Sequence, residues 1–341
     1  MEDKDIFEKE PQWEPDSELL KIQKTIRRRN RKTVFVSVVL AAVLLAGSVW
    51  GIIPMVEELY WNPDEAAYKE CTDLEVTLDA YTELFAPGYN TTLVTYHRTG
   101  FAGYELRIRL ASTAQDEVFT ARGSLERNIL LLDEFLDSPE GKYYAISRRV
   151  LPDVRPAPSE TEALRERLRS LPDYVRLEAA VAFSEDLSME ELVKFWENGM
   201  RHSMDITWVA VRAMESVVDP LDHTGKWIPQ CGMDPFTGSR IYPGVDLDYR
   251  CFNKPDSSEP EQLEQHFISL LRYSADQMEK GRGIVHCGHE TLYDEILDYV
   301  EENGVKTYGV VVAASPQVLL ELLDNDLIYS IRLADCWIDL G

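Results

Sequence analysis

Hydrophobic and polar positions along this chain change period several times, and each change marks an element. Residues 34–53, VFVSVVLAAVLLAGSVWGII, carry no charge and no polar stripe. As a helix these positions cover roughly 30 Å, the thickness of a bilayer's hydrocarbon core. Just before them, Leu19, Ile22 and Ile26 recur at helical spacing within SELLKIQKTIRRRNR, with acids early and arginines late to suit the helix dipole. Residues 1–16 are acidic and contain prolines, a composition too polar to pack alone. Beyond the apolar run, Tyr104, Leu106, Ile108 and Leu110 alternate with Glu105, Arg107 and Arg109, which predicts a half-buried strand. Thr91–Tyr96 and Val118–Arg122 predict shorter strands, and the run from Asn128 fits strand or helix. Residues 62–150 therefore read mainly as strands, closed by the proline-rich LPDVRPAPSE, a linker.

From Ser159 the period becomes mixed. Ser159-x-x-Glu162 has the form of a capping box ahead of Leu164, Leu168 and Leu171. A strand at 174–183, a helix opened by Ser188-x-x-Glu191 and a strand at 205–213 form one unit. A strand at 305–313, a helix opened by Ser315-Pro316 and a strand at 327–333 form a second. Proline suits the first helical position, where its missing N–H would have no partner anyway. Between the units, a helix from Glu261 to Lys280 ends at Gly281, and another from Thr291 to Glu302 is stopped by Asn303-Gly304. The expected fold class is α+β: a single-pass membrane protein with a strand-rich membrane-proximal region and a C-terminal α/β sandwich containing two strand–helix–strand units, of the ferredoxin-like kind. The strand order is not legible.

Charge fixes the orientation expected of the span. Nine Lys and Arg residues precede it, with Arg27, Arg28, Arg29, Arg31 and Lys32 against its edge, whereas Trp50, Tyr60, Trp61, Glu57 and Glu58 lie at its other end. Basic flanks stay cytoplasmic and aromatics favour the interface. The expected layout is a cytoplasmic tail at 1–33, a transmembrane helix at 34–53, an extracytoplasmic strand-rich region at 57–150, a linker with a short helix at 151–173 and a C-terminal domain at 174–341. A cleaved signal has a shorter apolar core, and a buried helix of this length would carry a polar stripe. The chain bears a net charge of −25, all of it beyond the span, because residues 1–33 hold nine basic and eight acidic residues. Such acidity repels phosphate backbones, so nucleic acid is not an expected partner.

Candidate chemistry is sparse. The sequence holds no G-x-S-x-G elbow, H-E-x-x-H, P-loop, C-x-x-C or G-x-G-x-x-G. His286, Cys287 and His289 form the densest cluster of metal-ligand types, but no companion cluster has finger spacing, and such a group more often caps a helix. Asp219, Asp222, Asp234, Asp246 and Asp248 fit no calcium-loop spacing. Asn90-Thr91-Thr92 matches a glycosylation acceptor. No catalytic residue, metal or cofactor is expected. All five cysteines fall beyond the span, where disulfides persist. Cys231 and Cys251 flank an irregular Pro/Gly-rich stretch, and a bridge there would close about twenty residues and add ~3 kcal/mol.

Three features resemble a known family: the tail IRRRNRKTVFVSVVLAAVLLAG running into the span, the strand-rich region beyond it, and the C-terminal GVKTYGVVVAASPQVLLELLDNDLIYSIRLAD. Together they look like the bacterial sigma factor regulators, membrane-bound anti-sigma proteins with N- and C-terminal sigma-regulator domains. The resemblance implies that the tail restrains an extracytoplasmic-function sigma factor while the outer domain senses envelope state or meets a second membrane regulator. The tail has no His or Cys, so it cannot build a zinc-type anti-sigma fold. Contact would instead be helix-in-groove, through Leu19, Ile22 and Ile26, with Arg27, Arg28 and Arg29 meeting acidic sigma surface. Two other classes stay open: a membrane-anchored scaffold, and an anchored metallohydrolase at His286, Cys287 and His289.

Overall fold

The computed structural model describes residues 17–68, 71–114, 117–132, 157–197, 204–214, 231–235, 259–286, 289–290 and 293–338. The chain divides into two compact units, 1–59 and 60–341.

The first unit contains one helix, α1 (Ser17–Glu57), with Lys21–Val49 long and apolar enough to cross a membrane. The apolar side chains between Lys21 and Val49, among them Val34, Phe35, Leu40 and Leu45, are all exposed, compatible with a lipid surround. Hydroxyls at three positions bond back to their own helix: Thr25 Oγ1 donates to the Lys21 carbonyl at 2.8 Å, Thr33 Oγ1 to Arg29 at 3.0 Å and Ser48 Oγ to Leu44 at 2.7 Å. Such back-bonding removes the cost of taking a hydroxyl into hydrocarbon.

The second unit is a mixed α+β body with two large sheets. The first runs in the order β11-β10-β6-β5-β4-β3. Its members are β3 (Tyr89–Gly100), β4 (Gly103–Ser112), β5 (Val118–Glu126), β6 (Ile129–Leu131), β10 (Gly283–His286) and β11 (His289–Glu290); β1 (Ala66–Tyr68) and β2 (Cys71–Thr72) form a separate small pair. The alternation read in β4 holds: Leu106, Ile108 and Leu110 are buried while Glu105, Arg107 and Arg109 face solvent. β10 lies parallel to β6, so a strand from late in the sequence extends the sheet built mainly from residues 89–131.

The second sheet has the order β13-β7-β12-β8-β9, from β7 (Val175–Ser188), β8 (Met204–Val211), β9 (Cys231–Met233), β12 (Lys306–Ala314) and β13 (Ile328–Ile338). β7 and β8 both pair antiparallel with the β12 between them, and β12 and β13 both pair antiparallel with the β7 between them. The two strand–helix–strand units therefore interleave, as the ferredoxin-like arrangement requires. Their helices, α4 (Met189–Glu197) and α7 (Pro316–Leu323), bury Leu192, Leu319 and Leu322 in one core with Val181, Val310 and Val312. The opposite face holds a small cluster of Ala180, Trp208, Ala210, Tyr308 and Val311. Gly309 sits at a bulge in β12, where a Cβ would lie 2.7 Å from the Val181 carbonyl, so only glycine lets the strands close there.

Helix boundaries follow local chemistry. Ser188 and Glu191 cap each other reciprocally, and Ser315 Oγ accepts from Val318 N ahead of Pro316. α5 (Pro260–Glu279) and α6 (Tyr293–Asn303) end near Gly281 and Gly304, both at positive φ, as expected. Two expectations need correction. Ser159 does not cap α3 (Pro158–Ser170): Ala157 holds the cap position with no side-chain bond, and Pro158 opens the helix. The region at 62–150 is not only strands, because α2 (Asp73–Phe85) lies within it, opened by a capping box between Thr72 and Glu75. Eleven of its residues are buried, so its sequence shows no polar stripe.

Candidate functional site

Two constellations are candidates for a functional site, one in each unit. On α1, helical geometry of about 100° per residue gathers Leu19, Ile22 and Ile26 on one face, with Arg29 at its margin. Arg27 points roughly 100° away from that face and Arg28 lies nearly opposite. Ile22 and Ile26 are 54% and 52% exposed, so the face is open to a partner; nothing is described of the Leu19 side chain. The six residues share one helix, but only Arg29 shares a face with the apolar three.

In the body, a polar seam runs between α2 and α5. At its first end Asp73 is buried and accepts hydrogen bonds from Tyr273 Oη and Gln277 Nε2, both at 3.1 Å, and an ion pair from Arg282. Arg282 also pairs with Glu65, and its guanidinium lies 5.6 Å from the Trp61 ring centroid. Trp61 N donates to Asn128 Oδ1 at 2.7 Å, and Tyr96 Oη donates to Asp64. Burial, reinforced by the Asp64 carboxylate, pushes the Tyr96 hydroxyl up to about 12. The segment 61–65, where the chain enters the body, is thus stapled to β3, to the turn between β5 and β6, and to the residues after α5.

At the other end of the seam, His266 on α5 and Glu83 on α2 form a buried ion pair, each side chain 2% exposed. Asp234 N approaches Glu83 Oε1 at 3.4 Å, Asn90 Nδ2 donates to Asp234 Oδ2 at 3.4 Å, and Trp208 Nε1 donates to the Glu83 carbonyl at 2.8 Å. Burial pulls the imidazole down, but the charge and hydrogen bond of Glu83, with Asp234 and Asp79 behind, outweigh it and leave His266 above the ordinary histidine range. Among the described residues, His266 Nδ1 and Glu83 Oε2 have no hydrogen-bond partner. The seam joins α2, α5 and the end of β9 electrostatically as well as by packing.

Other candidates fall away from these constellations. His286 and His289 face each other across the short β10–β11 pair, which precedes α6, and Cys287 lies outside the described residues. No group of three metal-ligand side chains gathers among the described residues. Asp219, Asp222, Asp246 and Asp248 lie outside those residues, while Asp234 belongs to the seam. Asn90 is half-buried in β3 with its amide engaged by Asp234. Cys231 is a buried free thiol, pushed up by burial, and the expected partner Cys251 lies outside the described residues. The seam itself escaped sequence reading; the signal at hand was Thr72-x-x-Glu75, which marks the start of α2.

Residues 168–335, from the end of α3 to the middle of β13, match the family model described as sigma factor regulator C-terminal. No curated protein and no solved structure matches the chain.

Proposed function

Since the chain belongs to the sigma factor regulator family, and thus has a sigma-factor regulatory role, we propose that it acts as a transmembrane anti-sigma regulator. In this reading residues 1–33 are cytoplasmic, the body from Tyr60 onward is extracytoplasmic and senses envelope state, and the client is an extracytoplasmic-function sigma factor. The basic flank before the span and the acidic body beyond it support that orientation. The observation that carries the mechanism is the continuity of α1 from Ser17 to Glu57. The face of Leu19, Ile22 and Ile26 belongs to the same rod as the membrane-crossing segment. Rotation, displacement or cleavage of that rod changes the availability of the face to a groove on the sigma factor. The stapled entry segment supports coupling from the other side, because a body gripping residues 61–65 can load the anchor without first unfolding a linker.

The test is co-purification of sigma factor with the full-length chain and with a Leu19→Asp, Ile22→Asp, Ile26→Asp variant, alongside a promoter reporter. Loss of the complex and a rise in transcription are expected. Equal sigma activity in the two strains would remove the tail from the mechanism. Deleting residues 1–25 separates regulation from scaffolding, since a scaffold keeps its phenotype without the tail.

A further inference from the structure

The outward face of the sheet containing β3, β4 and β5 has a charge that the rest of the chain does not predict. β4 and β5 pair without a bulge, placing Arg107 directly opposite Arg122 and Arg109 opposite Thr120. All three arginines are exposed. Like charges directly opposite each other on a sheet are destabilising, yet this arrangement sits in a chain of net charge −25 with acids in excess. The guanidinium groups of Arg107 and Arg109 make no hydrogen bond or ion pair among the described residues, although their carbonyls accept from Thr95 and Thr92, whereas Arg122 has an interaction of its own. Glu105, the nearest carboxylate on the same face of β4, is engaged by His97 at 3.0 Å. Leu93, opposite Arg109, and Val118, two residues before Thr120, are 48% and 50% exposed on the same face.

Arginines beside protruding aliphatic side chains suit one chemistry well. Guanidinium groups take phosphate oxygens in a bidentate fork, and the aliphatic side chains reach the boundary between headgroups and acyl chains. The body begins at Tyr60, three residues after α1 ends at Glu57, so lipid is present at high effective concentration throughout. We propose that this face is a docking surface for the phosphate headgroups of anionic lipid, engaged and released as the body responds to its surroundings. The proposal rests on the reading of α1 as a membrane anchor. An acidic protein would meet the guanidinium groups but would gain less from Leu93 and Val118.

The experiment uses the full-length chain in nanodiscs of phosphatidylcholine alone or with phosphatidylglycerol, and follows arginine modification by phenylglyoxal with peptide mass spectrometry. Arg107, Arg109 and Arg122 are expected to react several-fold more slowly in the anionic discs, since attraction to such a surface is worth about fivefold per arginine. High salt restores the rate, because the attraction is screened. In an Arg107→Gln, Arg109→Gln chain, whose substitutions are exposed and relieve repulsion, Arg122 loses most of its protection. Equal rates in the two lipids, or protection indifferent to salt, overturn the proposal. Protection that appears only on adding cell extract assigns the face to an acidic protein and likewise overturns it. Failure of the chain to incorporate into discs at all strikes the anchor reading instead.

Discussion

His266 and Glu83 make the sharpest test of the physical reasoning, because both side chains are 2% exposed and each supplies the other's main compensation. His266→Leu leaves the Glu83 carboxylate buried with, among the described residues, the distant Asp234 amide as its remaining donor and Oε2 already without one. Removing one member of a buried ion pair costs about 3–5 kcal/mol. Adding Glu83→Gln to that variant removes the stranded charge and should return about 1–3 kcal/mol, a coupling that a double-mutant cycle reads directly. The pH dependence has a definite sign. Glu83, Asp234 and Asp79 hold the folded-state pKa of His266 above its unfolded value. The stabilisation is therefore fully present below pH ~6.5 and is lost as pH rises through the folded value. Across that window the gap between wild type and His266→Leu should narrow by up to about 1.4 kcal/mol per pH unit. Urea unfolding of the full-length chain in mild detergent, followed by tryptophan fluorescence from pH 5.5 to 9, measures both quantities. A gap below about 1 kcal/mol, or one that widens toward alkaline pH, would refute the pair as drawn.

Three further substitutions probe the body by the same unfolding assay. Gly232→Ala places a Cβ 2.2 Å from the Val209 carbonyl and 2.3 Å from the Trp208 ring; a loss of about 1–3 kcal/mol or more is expected, and an unchanged midpoint would contradict the close approach. Leu319→Ala empties a fully buried position between α7 and its sheet and should cost about 2–5 kcal/mol. Arg282→Met strips Asp73 and Glu65 of their shared cation. A loss of about 2–3 kcal/mol is expected, because Tyr273 and Gln277 still serve Asp73. Limited proteolysis should then cut earlier near residues 61–65.

What the sequence disclosed and what it hid divide along a physical line. Signals confined to a few neighbouring residues were legible: Ser188 with Glu191, Ser315 before Pro316, the glycines after α5 and α6, and the alternation of β4. Each is a local hydrogen bond, a backbone angle or a periodicity of two. Hidden features depended on distant partners. α2 has no amphipathic stripe because the body surrounds it on nearly every side. β10 joins a sheet whose β6 lies some 150 positions earlier, and Glu83 meets a histidine 183 residues away. Ser159 carried the right pattern for a cap, yet Pro158 opened the helix instead. In the tail the apolar spacing was plain, but the run of arginines concealed that they point in different directions.

That last difference separates two mechanisms for the tail. If arginines attract a sigma factor as bulk charge, Arg28 and Arg29 count equally. If an unbroken helix lays one face into a groove, they do not: Arg29 borders Ile22 and Ile26, whereas Arg28 lies almost opposite them, about 150° round the helix from the centre of the face. Both residues sit in the same helical turn of α1 and contribute alike to the basic flank that, in the proposed topology, orients the span. Arg28→Glu and Arg29→Glu therefore perturb topology equally, and any difference between them belongs to the partner. Arg29→Glu is expected to weaken sigma-factor retention by roughly tenfold, the scale of losing a charged contact and gaining a repulsion, with Arg28→Glu close to wild type. Quantitative co-purification at two salt concentrations measures the ratio. Equal losses from both substitutions would mean that the helix is not read by face and that the groove model of the tail is wrong.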